Sequence, residues 1–273
     1  IGYDARLAYY NADLYLYLKS STFLFEVPFL EEGGNQYFNF STITSGKFDS
    51  KPFYWPVVME EVGNLDFSFH FEAWPKLKAR TLSRDFRFNI GLDTILLTIA
   101  TNALIGDIMA TYPLLAEETY LNTPLSERSE EQLLTQITRY LEGKSEKQRL
   151  AWLAAFTRSA FVYMEDEIQF GYNKPMVAEE TLLYPASDCE DRVALFIQIA
   201  QKLTIAPMII IAFPDHLTLG IADPSIGGDF VPYKGKNYFI CDPTGPEGSN
   251  AIGVMPFPYR GKDFEVIKEW NIR

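Results

Sequence analysis

Apolar residues recur along this chain with two periods, and the change of period divides it. Up to about residue 90 the period is two. Leu65-Asp66-Phe67-Ser68-Phe69-His70-Phe71-Glu72 alternates without a break, which predicts a strand with one buried face. The stretches 14–18, 22–27, 36–43 and 86–90 have the same character. Gly33-Gly34-Asn35 and Glu61-Val62-Gly63-Asn64 supply turn chemistry between them. An antiparallel sheet or sandwich is expected. Its many Phe and Tyr serve as core and cross-strand pairs, or as a surface for sugars or peptides. His70 falls on the polar face of its strand and reads as a surface residue.

Beyond residue 90 helical spacing takes over. Leu92, Ile95, Leu96, Ile99 and Ala103 share a face, predicting a helix over 92–112 that Pro113 ends. The connector 120–124 places a boundary between a β-rich domain, 1–122, and a second domain, 123–273. There Ser129 opens a helix that Gly143 ends, and Ser145 opens another with a stripe of Leu150, Leu153, Ala154, Thr157, Ala160 and Phe161. A third helix starts at Ser187, with Glu190 completing a capping box. Val193, Phe196, Ile197, Ala200 and Leu203 give it one apolar face. Strands follow at 207–213, 216–222 and 237–242. In the second of them His216, Thr218, Gly220 and Ala222 share one face, and Leu217, Leu219 and Ile221 the other. The small residues beside His216 leave room for the helix to approach that face.

Composition narrows the class. The chain has 273 residues, 47% of them hydrophobic and 15% aromatic, enough for a well-cored globular protein. A net charge of −12 argues against nucleic acid and against anionic membrane surfaces as partners. The longest apolar region, 92–116, is interrupted by Asp93, Asn102 and Asp107, so no transmembrane segment is expected. Two cysteines exclude a disulfide scaffold. The chain starts at Ile1 and reads as a trimmed part of a longer protein. Its compartment, bacterial envelope, periplasm or cytoplasm, stays open, as does its oligomeric state.

The chemistry gathers around Cys189. It sits in the first turn of its helix, in line with Val193, at the positive end of the dipole, which favours thiolate. A lone cysteine there is also an ordinary small core residue. His216 on a strand and Asp242 at the end of another change that picture: they supply a base and the group that orients it. Asp188, Glu190 and Asp191 are expected on the solvent side of the cap, since carboxylates beside a thiol would raise its pKa. Cys241 neighbours Asp242 and faces the other way, away from the cysteine helix, so no disulfide with Cys189 is expected. Cys189, His216 and Asp242 lack the paired spacings of a zinc site, and neither metal nor cofactor is called for.

The residues Ser187-Asp188-Cys189-Glu190-Asp191, Pro214-Asp215-His216-Leu217 and Cys241-Asp242-Pro243-Thr244 resemble the transglutaminase-like superfamily over roughly residues 125–260. The resemblance implies an α+β fold, with a papain-like cysteine helix packed on an antiparallel sheet. It also implies a Cys189 nucleophile, His216 as general base and acid, and Asp242 as its orienter, drawing the thiol below its free pKa. The Cys189 backbone N–H would supply one oxyanion donor, and Tyr163 or Gln169 a second. The expected function is a thiol-dependent amide-bond enzyme, a cysteine peptidase or acyltransferase acting on a protein or peptide through a thioester. A non-catalytic transglutaminase-like domain used for binding or assembly is the alternative.

Overall fold

The computed structural model describes residues 2–10, 13–45, 55–57, 63–76, 78, 80–245 and 252–270. The expected turn residues Glu61 and Val62 lie outside them. The chain divides into two compact units, Ile1–His70 with Gly106–Thr119, and Phe71–Ile105 with Tyr120–Arg273.

In the first unit β1 (Ala5–Tyr10), β2 (Asp13–Lys19), β3 (Phe29–Glu32), β4 (Asn35–Asn39) and β5 (Trp55–Val57) form an antiparallel sheet of order β3-β4-β2-β1-β5, and α1 (Phe40–Ser45) follows β4. Gly33 and Gly34 close the β3–β4 hairpin at φ 58° and 78°, values that a two-residue hairpin turn of this hand requires. Ala8, Tyr17 and Tyr37 make its small core. Two expected strands are absent. Over 22–27 a single bridge joins Phe25 to Leu114, and over 65–72 a single bridge joins Leu65 to Tyr3. Phe67 and Phe69 are instead held by ring contacts, 5.3 Å from Phe67 to Phe40 and 5.8 Å from Phe69 to Tyr112. Alternation there marks a buried side without a ladder. The stretch 36–43 divides between β4 and α1, and His70 is exposed.

The expected helix over 92–112, which runs from the second unit into the first at Gly106, is mostly a strand. β6 (Thr81–Ile90) and β7 (Asp93–Asn102) pair along their whole length, and only α2 (Ala103–Met109) is helical. Ile95, Leu97, Ile99 and Thr101 are buried in alternation while Leu92 is fully exposed in the turn. The β-branched Thr94, Ile95, Thr98, Ile99 and Thr101 favour the pleat. Next come α3 (Glu117–Asn122), α4 (Glu127–Leu141), α5 (Glu146–Ser159), β8 (Val162–Tyr163), α6 (Asp166–Gln169), α7 (Ala178–Leu183), β9 (Ala186–Ser187) and α8 (Cys189–Leu203). Ser145 and Gln148 form the capping box of α5. The α4 cap is Ser126 rather than Ser129, because the Ser129 hydroxyl is drawn inward and donates to the buried Glu179 at 2.7 Å.

The chain ends in β10 (Met208–Phe213), β11 (His216–Ile221), β12 (Phe230–Tyr233), β13 (Lys236–Cys241) and β14 (Glu265–Trp270), an antiparallel sheet of order β12-β13-β11-β10-β14. The protein is thus mixed α and β with antiparallel main sheets. Met208, Ile210, Leu217, Leu219, Ile221 and Cys241 join one core with Val193, Phe196 and Ile197 of α8. Each such side chain, fully buried, contributes about 1.5–3 kcal/mol. Ile209, Ile211, Val231, Tyr238 and Ile240 form the core of the opposite face. The apolar face of β11, not its small-residue face, therefore meets α8, and Cys241 lies on the helix side. Gly220 serves its own layer: a Cβ there would sit 2.8 Å from Cβ of Tyr238. Nor is α8 buried on one face alone. Residues Asp191 to Ala200 are all buried, because α4, α5 and α7 pack on the helix as well as β11. Among the described residues no helix is long and apolar enough to cross a membrane.

Candidate functional site

Cys189 is the first residue of α8, so its backbone N–H has no acceptor within the helix. The cap residue is Asp188, whose N–H donates to Asp191 Oδ2 at 3.1 Å. Ser187 is held extended in β9 by pairing with Tyr163, and its hydroxyl accepts from Arg192 Nε at 3.1 Å. Glu190 is thereby released from capping and turns to the thiol. The Cys189 S–H donates to Glu190 Oε2 at 2.9 Å.

This reverses two expectations. Asp188 and Asp191 are buried, and Glu190 is half-buried against the thiol, so the acidic run does not lie on the solvent side. Burial pushes the Cys189 thiol well above its ordinary pKa, and the Glu190 carboxylate adds to the shift. The N–H of Leu217, bonded to the sulfur, opposes them. The resting group is a neutral thiol, not a thiolate. Burial also raises Asp188 and Asp191, and it raises Asp166 to about 6 against the N–H that Lys174 donates to it. Carboxylate oxygens of Asp166, Asp188 and Glu190 lie within 4.8 Å of one another, a set able to hold a cation.

His216 opens β11 and Asp242 follows β13, two neighbouring strands. His216 Nε2 and Asp242 Oδ2 are 3.0 Å apart. Asp242 Oδ1 accepts from the N–H groups of Thr244 at 2.8 Å and Gly245 at 3.0 Å. Burial alone would raise this carboxyl, but His216 and the two N–H groups outweigh it and hold Asp242 below the usual range. One face of the imidazole is covered by Tyr259, whose ring stacks on it at 4.5 Å and 12°. Asp215 points elsewhere: it is exposed and lies 3.6 Å from Lys262.

These groups border an open cavity of about 830 Å3, lined among others by Arg158, Tyr163, Arg192, His216, Asp242 and Tyr259. The expected residues are brought together unevenly. His216, Asp242 and Tyr163 reach the cavity. Cys189 and Gln169 are not in its lining, and the thiol hydrogen-bonds Glu190 rather than His216. Gln169 closes α6 with its Nε2 buried and, among the described residues, unpartnered. Cys189 and Cys241 are both free thiols.

Sequence reasoning missed Arg158, Arg192 and Tyr259. Arg192 is buried and donates to Ser187 Oγ and to the carbonyls of Arg158, Phe161 and Thr244. It ties the end of α5 and the turn after β13 to α8. Arg158 and Arg192 were detectable as charges inside otherwise apolar helical stripes. Tyr259, at the end of a short 3-10 turn that holds Pro258 and follows Pro256, carries no such signal. Comparison with protein-family models, with curated proteins and with solved structures gives no match for this chain.

Proposed function

We propose that this chain is a thiol-dependent amide-bond enzyme with a papain-like, transglutaminase-like core, acting through a thioester on Cys189. The observation that carries the reading is the His216–Asp242 pair at 3.0 Å on the wall of a cavity, beside the end of β11 whose Leu217 N–H bonds the Cys189 sulfur. Asp242 leaves one imidazole nitrogen to accept a proton, and Tyr259 keeps the ring plane fixed. In the first step the Cys189 thiol gives up its proton to His216, and the sulfur attacks the amide carbonyl carbon. The tetrahedral oxyanion is met by the Cys189 N–H, with the Tyr163 hydroxyl as the second donor. The C–N bond then breaks, and imidazolium returns its proton to the leaving amine. Water or a second amine opens the thioester, giving an acid or a new amide. Because the resting thiol is neutral and bonded to Glu190, substrate must displace Glu190 before proton transfer.

The same thiol–Glu190 bond, with Cys189 outside the cavity lining, supports the second reading, a binding or assembly domain without turnover. The activated ester p-nitrophenyl acetate separates the two. An enzyme releases a stoichiometric burst of p-nitrophenolate and carries an acetyl group on Cys189 by mass spectrometry. Cys189→Ala abolishes the burst, and Asp242→Asn slows it at least about 100-fold because the imidazole is then held in the wrong tautomer. Absence of a burst from the wild-type protein supports the scaffold reading.

A further inference from the structure

The last turn of α5 delivers Arg158 to the cavity wall. The residue is 8% exposed, and a guanidinium stays charged under all ordinary conditions. One Nη2 proton goes to the backbone carbonyl of Asp242. Among the described residues Nε is buried without any acceptor. No described carboxylate lies within ion-pair distance of Arg158, and Asp242, whose charge acts on it, is already committed to His216, Thr244 and Gly245. Arg192, equally buried, is unlike it in having Nε, Nη1 and Nη2 all bonded to oxygen. A buried cation with a donor left open and no paired carboxylate is costly unless something completes it.

The charges of the lining define what fits. Arg158 and Arg192 face one carboxylate, Asp242, leaving one positive charge in excess, inside a chain whose net charge is −12. One excess charge beside a carboxylate suits a monoanion better than a phosphate dianion. The planar fork of a guanidinium matches a carboxylate. Gly245 packs closely on the Nε edge of Arg158: a Cβ there would fall 2.7 Å from Nε.

We infer that Arg158 anchors a carboxylate of the substrate, so that the cavity selects peptides or acylated amino acids carrying an acidic side chain or a free C-terminus near the reacting amide. This rests on the amide-bond reading, whose own test is acylation of Cys189; binding is therefore measured on Cys189→Ala, where chemistry plays no part. The probes are N-acetyl-glutamate α-amide, its neutral isostere N-acetyl-glutamine α-amide, and N-acetyl-glycine for a free C-terminal carboxylate, titrated by calorimetry. The glutamate amide or N-acetyl-glycine should bind at least about tenfold more tightly than the glutamine amide, and whichever carboxylate wins names the source. Arg158→Gln should bring the preference to within about twofold, and Arg158→Lys should keep part of it. Glu247 lies outside the described residues, and Glu247→Gln should leave the preference unchanged. Equal binding of charged and neutral probes to the parent protein overturns the inference without any Arg158 variant, and so does a preference that survives Arg158→Gln in a folded protein. A tenfold gain in Glu247→Gln overturns it too, because the chain's own carboxylate would then be the partner of Arg158.

Discussion

Replacing Glu190 by Gln tests the electrostatics of the thiol directly. The carboxylate oxygen lies 2.9 Å from Cys189 Sγ. A carboxylate and a thiolate at that separation repel by about 1.4 kcal/mol in water and about 6 kcal/mol at an effective dielectric near 20. Glu190 is half-buried, so screening places the working value near 2–3 kcal/mol, or about 2 pKa units. Gln has nearly the same shape and removes the charge, so the Cys189 midpoint moves down. The thiolate fraction at neutral pH then rises about 100-fold. A less basic thiolate is also less nucleophilic, with a slope of about 0.4–0.5, which leaves a net gain of roughly tenfold in rate. The assay is alkylation by iodoacetamide, followed by mass spectrometry from pH 6 to 10, with Cys189→Ala as the blank for labelling at Cys241. An unchanged rate and profile in Glu190→Gln would refute the placement of that carboxylate on the sulfur.

Two further outcomes concern stability. Gly220→Ala should cost about 1–3 kcal/mol, because its Cβ would stand 2.8 Å from Tyr238 Cβ and 3.0 Å from Ile209; a melt unchanged within error would show that β13 can shift. The Asp166 carboxyl is raised to about 6, so its contribution is fully present below the unfolded value near 4 and is lost as pH rises through 6. Asp166→Asn, which keeps an acceptor for the Lys174 N–H, should match wild type in urea melts at pH 4 and exceed it by about 1–2 kcal/mol at pH 8. Equal stability at both values would show the carboxyl to be better solvated than it stands here.

How much was readable depended on whether a local pattern admitted one partner or several. The cysteine helix and the strands at 208–213, 216–221 and 236–241 were legible, since capping residues, an isoleucine run and a Pro-Asp turn all point the same way. Residues 92–102 satisfied both periods at Ile95 and Ile99. What decides for a strand is pairing with β6, which no local spacing reveals. Residues 65–72 alternate perfectly yet gain no ladder. In the candidate site, His216 and Asp242 were legible as residue types at strand ends. The state of the thiol was not, because it depends on which acidic residue caps α8. Both Ser187–Glu190 and Asp188–Asp191 have capping-box spacing, and the difference frees Glu190 to turn inward.

The clamp formed by Arg192 bears on the order in which this protein can assemble. Apart from the nearby Ser187 hydroxyl, its guanidinium finds oxygen in segments far along the chain, at Arg158, Phe161 and Thr244, 34, 31 and 52 residues away. Helix α8 can form from local signals, but until α5 and the turn after β13 have docked, it carries a cation in its first turn that must stay in water. Burial of that turn, and with it the seating of Cys189, is therefore a late event coupled to long-range closure. A chain halted before β13 joins the sheet would have α8 without the Thr244 contacts that Arg192 and the Cys189 carbonyl make in the folded molecule.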